Sequence, residues 1–80
     1  MKITVLFFGV ARDLAGERQL ELELPASSNV GDLRRLLAQQ FPGLDQDLAY
    51  ALAINEKFSA DDRTIHEGDV AAVLPPVSGG

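Results

Sequence analysis

Eighty residues carry twelve acidic and seven basic side chains, a net charge of −5, which is chain enough for one small domain of modest stability. That balance repels a phosphate backbone, and with Arg34-Arg35 as the only basic pair nucleic acid is excluded as a direct partner. Cysteine is absent, which excludes disulfides and suits a reducing compartment such as the cytoplasm, and no stretch approaches the roughly 20 apolar residues that span a bilayer, so no membrane partner is expected.

KITVLFF, Lys2–Phe8, is rich in β-branched and aromatic residues and predicts a strand. It does not read as a signal peptide, because the apolar run reaches Arg12 and Asp13 without a small-residue cleavage pattern. Alternation places Ile3, Val5 and Phe7 on one face and Lys2, Thr4, Leu6 and Phe8 on the other. GVARDLAGER follows as a connection punctuated by Gly9 and Gly16, with room for one helical turn. QLELELP then alternates cleanly, Leu20, Leu22 and Leu24 inward and Gln19, Glu21 and Glu23 outward, a half-buried strand stopped by Pro25 and paired antiparallel with the first. In SSNVGDLRRLLAQQFPG the i, i+3, i+4 spacing of Val30, Leu33, Leu36, Leu37 and Phe41 predicts the main helix. Asn29 caps it, Asp32 complements the dipole of its first turn, and Pro42-Gly43 ends it.

A loop through Asp45 and Asp47 leads to YALAIN, a strand with Tyr50, Leu52 and Ile54 on one side. Asn55–Lys57 makes a tight turn into a short strand around Phe58, His66–Asp69 is another turn, and Val70–Pro75 is the last strand, closed by the prolines. One helix covers only one face of a sheet, so the other face meets solvent or a partner. The order ββαββ predicts an α+β fold of the β-grasp, ubiquitin-like type, a mixed sheet of about five strands on one main helix, with the first and last strands as parallel neighbours. Residues 1–75 form the domain and residues 76–80 a functional tail. Within that arrangement Leu6, Phe8, Val70, Ala72 and Leu74 face away from the helix, and Phe8 and Leu74 are expected to share an apolar patch beside the tail, of the kind that marks a protein contact.

No self-sufficient active site is present. His66 is the only histidine and lacks the partners of a zinc or catalytic site. The carboxylates Asp61, Asp62, Glu67 and Asp69 lack the spacing of a calcium loop, and Ser27 and Ser28 have no histidine near them in sequence. No intrinsic cofactor or metal is expected.

VLFFGVARDLAG, EGDVAAVLPP and the terminal PPVSGG resemble the MoaD family, the small sulfur-carrying subunits of molybdopterin synthase. The similarity extends over the whole chain, and PPVSGG is its most specific part. The resemblance implies that an ATP-dependent enzyme of the ubiquitin-activating type adenylates the carboxylate of Gly80 and that sulfide from a sulfurtransferase converts it to a thiocarboxylate. The tail then enters the large subunit of the synthase, and the sulfur held covalently at Gly80 passes to a cyclic pyranopterin precursor. It also implies a partner contact for Arg12, which sits in the matching RDLAG stretch, while the family commonly carries an aromatic where Leu74 stands. The residues suit such a tail. Gly79 and Gly80 form the thinnest possible arm, Pro75 and Pro76 stiffen its base, and Val77 and Ser78 offer an apolar and a hydrogen-bonding handle. A carrier for thiazole, cysteine or tRNA thiolation, a ubiquitin-like modifier and a plain interaction module remain as alternatives.

Overall fold

The computed structural model describes residues 1–47 and 50–75. Its elements are β1 (Lys2–Phe7), α1 (Val10–Ala15), β2 (Gln19–Glu23), α2 (Val30–Gln40), α3 (Pro42–Asp47), β3 (Ala51–Ile54), β4 (Lys57–Phe58) and β5 (Val70–Leu74). The five strands form one sheet in the order β2-β1-β5-β3-β4. β1 pairs antiparallel with β2, Val5 opposite Leu20, and parallel with β5, Val5 opposite Ala71. β3 pairs antiparallel with β5 and with β4. This is the expected β-grasp arrangement, with both strands of the parallel pair ending on the same side of the molecule.

Alternation along the strands decides which face is buried. Ile3, Val5 and Phe7 from β1, Leu22 from β2, Leu52 and Ile54 from β3, and Ala71 and Val73 from β5 form one cluster with Val30, Leu33 and Leu37 of α2. Leu24 and Tyr50, each just outside a strand, belong to it too, and Leu20, Leu36 and Phe41 pack against its margin.

α2 starts on a complete capping box: the Asn29 side chain accepts from the Asp32 N–H at 2.8 Å, and the Asp32 carboxylate accepts from the Asn29 N–H at 2.9 Å. That backbone donor, offset in part by desolvation and helped by Arg35, holds the Asp32 carboxyl below its ordinary value. The remaining free donors of the first turn are taken by the chain that follows β4. The Val30 N–H reaches the Arg63 carbonyl and the Gly31 N–H the Asp61 carbonyl, while the Ile65 N–H returns to Ser28. Ile65 is thereby fully buried. Arg34 ties the same segment to the sheet: its guanidinium pairs with Asp61 at 3.3 Å, lies 4.9 Å from the centroid of the Tyr50 ring and donates to the Tyr50 carbonyl.

One expectation is corrected. Pro42-Gly43 does end α2, with Phe41 outside helical geometry at φ −132° and ψ 76° and its N–H on the Leu37 carbonyl. The segment after it is a helix, α3, where a loop was expected. Proline is well placed there, because the first helical position needs no N–H, and α3 brings Leu44 into the core, fully buried. The helical segment expected between Gly9 and Gly16 is present as α1, six residues long, and it buries Ala11.

Candidate functional site

On the face of the sheet turned away from α2, the register sets Leu6 beside Ala72, Ala72 beside Ala53, and Ala53 beside Phe58. Phe8 follows directly on β1, and its N–H bonds the Val73 carbonyl at 3.2 Å. Phe8 is 45% exposed, Phe58 77% and Val70 36%. Large apolar groups so exposed on one face form a surface suited to a protein contact.

A cleft of about 390 Å³ runs along β5 on this face, lined by Leu6, Phe8, Asn55, Glu56, Val70 and Ala72. Sequence reasoning had placed Leu6 and Phe8 here, and the fold brings the two together in this cleft. Leu74 lies on the same face, opposite Ala51, half-buried and outside the cleft lining. Arg12 lies exposed on α1, also outside it. Pro75 is half-buried where the chain leaves β5. The expected tail residues Pro76, Val77, Ser78, Gly79 and Gly80 lie outside the described residues.

Asn55 and Glu56 were read only as a turn, yet they wall the cleft. They join β3 to β4 with φ of 51° and 71°, the pair of left-handed residues a two-residue hairpin needs to match strand twist. Asparagine tolerates that conformation because its side chain can bond locally, and here that chain is held. Its Oδ1 accepts from the Val70 N–H at 3.0 Å, and its Nδ2 donates to Asp69 at 3.0 Å. The other oxygen of Asp69 accepts from the His66 N–H at 2.9 Å. Asp69 is only 8% exposed. Burial pushes its carboxyl up, but the His66 N–H, the Asn55 amide and the nearby His66 and Arg63 charges outweigh this and hold it below its ordinary value. The result is a polar clamp between the hairpin turn and the start of β5. In the sequence the asparagine at a two-residue turn was the only visible sign of it.

A larger cleft of about 480 Å³ opens at the opposite end of β1, between the Glu23–Ser28 segment and α2. Three of its polar side chains are engaged with one another or with neighbouring backbone: Ser28 Oγ bonds the Pro25 carbonyl, and Asp32 is shared between Asn29 and Arg35. It is remote from Pro75, and the smaller cleft is the one that adjoins the end of β1. Among the described residues no group of three or more His, Asp or Glu side chains is placed to hold a metal ion, and no helix is long and apolar enough to cross a membrane.

The chain matches the model of the ThiS family over residues 5–80. It is 35% identical over 81 residues to the molybdopterin synthase sulfur carrier subunit of Arabidopsis thaliana, the alignment covering all of this chain and 84% of that one. Among solved structures it is similar to a putative molybdopterin converting factor, subunit 1, from Pyrococcus furiosus, with a TM-score of 0.90 at 28% identity over 96% of this chain and 99% of that chain. It is also similar to a chain in the protein–protein complex of subunits 1 and 2 of molybdopterin-converting factor from Helicobacter pylori, with a TM-score of 0.71 at 30% identity over 100% of both. A match of this extent, in sequence and in overall fold alike, shows the family: the chain belongs to the ThiS family, with the β-grasp fold and with molybdopterin synthase sulfur carrier subunits among its relatives.

Proposed function

We propose that this chain is the sulfur carrier subunit of a molybdopterin synthase, residues 1–75 serving as a folded base and residues 76–80 as the arm that carries sulfur. The observation that supports this most is positional. The open apolar face and its cleft reach the end of β1, and β5, its parallel neighbour, leads on that same side into PPVSGG. A partner seated on that face would receive the tail directly. The Helicobacter pylori complex gives the kind of partner, a second and separate subunit of the synthase.

The chemistry starts from an inert group. A carboxylate repels nucleophiles, so one Gly80 oxygen first attacks the α-phosphorus of ATP on an adenylating enzyme of the ubiquitin-activating type, and pyrophosphate leaves. Sulfide supplied by a sulfurtransferase then adds to the acyl carbon and AMP departs, leaving a thiocarboxylate. Within the large subunit that sulfur attacks an oxygen-bearing carbon of the cyclic pyranopterin precursor, and the carbon–oxygen bond breaks with its electron pair leaving on the oxygen. Water then cleaves the resulting thioester to free the new thiol and restore the carboxylate. The catalytic side chains belong to the partners. This chain contributes an unhindered terminal carbonyl on a narrow arm, stiffened at its base by proline. The same reading puts the carrier in the cytoplasm.

The test uses the missing cysteines. Incubation with ATP, sulfide and the adenylating enzyme, followed by a thiol-selective alkylating reagent, is expected to label only the C-terminal peptide, and deletion of Gly80 is expected to abolish the label. Addition of the large subunit and precursor should then consume it. Labelling without consumption would assign the carrier to another thiolation pathway. Absence of ATP-dependent labelling would point to a modifier or a passive binding domain.

A further inference from the structure

The turn after β1, which leads into α1, contains a backbone conformation that favours glycine. Gly9 has φ 56° and ψ −135°, and the Ala11 N–H closes the turn on the Phe8 carbonyl at 3.1 Å. Gly9 is thus the first central residue of a turn whose positive φ favours glycine. What lies against it is the other end of the chain. A Cβ at Gly9 would meet Pro75 Cγ at 3.1 Å, closer than ordinary van der Waals contact, and Cδ at 3.8 Å, an ordinary contact. The proline ring is fused to its own backbone, so apart from a change of ring pucker Pro75 has no side-chain rotation with which to retreat.

We infer that Gly9 is a positioning residue for the tail: its bare α-carbon seats the ring of Pro75 and so sets the direction in which the chain leaves the sheet. The consequence for sulfur transfer rests on the sulfur-carrier reading above. β1 and β5 are in register up to Phe7 and Val73, and the Phe8 N–H makes the next bond, to the Val73 carbonyl. Beyond it Pro75 has no N–H to donate, so its placement depends on how its ring packs, and Gly9 lies on one side of it. Direction matters because of leverage. An arm of five residues can reach at most about 17 Å, so a tilt of about 10° at Pro75 moves its end by up to about 3 Å, and about 1 Å of misplacement of a reacting group can slow a reaction a hundredfold.

Two readouts test this, and the first is independent of function. Ser78→Cys introduces the sole cysteine, which takes a nitroxide label, and broadening of backbone amide resonances then maps where the tail lies. In the parent chain broadening should concentrate on one side of the tail root, and Gly9→Ala and Pro75→Ala should each redistribute it. Pro75→Ala leaves the Gly9 backbone untouched, so it stands alone if Gly9→Ala does not fold. The second readout is kcat/KM for ATP-dependent C-terminal labelling, with the thermal midpoint measured in parallel. Gly9→Ala should lower it about tenfold in the parent chain but less than twofold in the Pro75→Ala background. An unchanged broadening map, or an equal loss in both backgrounds, would overturn the proposal, because strain at a positive φ alone would act the same with or without the proline ring. If the parent chain takes no label at all, the sulfur-carrier reading fails, while the broadening map still judges the seating of Pro75 by itself.

Discussion

Glu56 is the second left-handed residue of the β3–β4 turn, φ 71°, and unlike Asn55 it has a side chain with no short polar group to bond locally. Glu56→Gly exchanges a conformation that L-residues adopt at a cost of about 1–2 kcal/mol for one that glycine adopts freely, partly offset by the greater freedom of glycine in the unfolded chain. A net gain of about 0.5–1 kcal/mol is expected, read as a raised urea midpoint at unchanged slope. Asp69 acts in the other direction. Its carboxyl is held below its ordinary value, so its contribution is fully present above the unfolded value and is lost as pH falls through the folded one. Asp69→Asn should destabilise by about 1–2 kcal/mol at pH 7, because one of the Asn55 and His66 donors loses its acceptor. The gap to the parent chain should shrink below pH 3.8, the unshifted carboxyl value. A gap that stays constant down to pH 2 would show that the charge on Asp69 contributes nothing to the clamp.

At the scale of elements, α2 is held by its ends as much as by its apolar stripe. Its entrance combines the capping box with the carbonyls of Asp61 and Arg63, and Asn29 also bridges to Thr64. Asn29→Ala removes a side-chain acceptor but leaves those carbonyls in place. The expected loss is about 1 kcal/mol, which in a domain of this size lowers the thermal midpoint by about 4–8 °C. A loss several times larger would mean that the segment through Ile65 detaches together with the cap. α3 was hidden from pattern reading because six residues are too few to show a helical period and because Pro42-Gly43 reads first as a stop. Leu44 shows what decided it, since helical backbone there buries that side chain completely.

For the whole molecule, the asymmetry of the sheet governs function. α2 covers one face, and on the other Phe8 and Phe58 remain in solvent. Phe8→Ser should weaken binding to the large subunit by about tenfold to a hundredfold, the range of a strong interface residue at about 1.4–2.7 kcal/mol. Because Phe8 is already 45% exposed, the thermal midpoint should change little, and calorimetric titration beside a melting curve separates the two effects. Equal affinity with and without Phe8 would remove this face from the synthase interface.

Strand alternation at Ile3–Phe7, Leu20–Leu24 and Val70–Leu74, the cap at Asn29 and the stripe of α2 are local patterns, and the fold class followed from them because alternation and helical period dictate which side chains can be buried together. PPVSGG likewise stands in the chain itself, which is why the resemblance that implies a sulfur carrier is visible in the sequence. The placement of Asp69 against Asn55, fourteen residues away, and of Gly9 against Pro75 had no local signature. A turn asparagine, a lone aspartate and a loop glycine each look ordinary in sequence. They become a clamp and a seat only when the antiparallel β3–β5 and parallel β1–β5 pairings bring distant stretches together, and those registers are set by burial of the whole core.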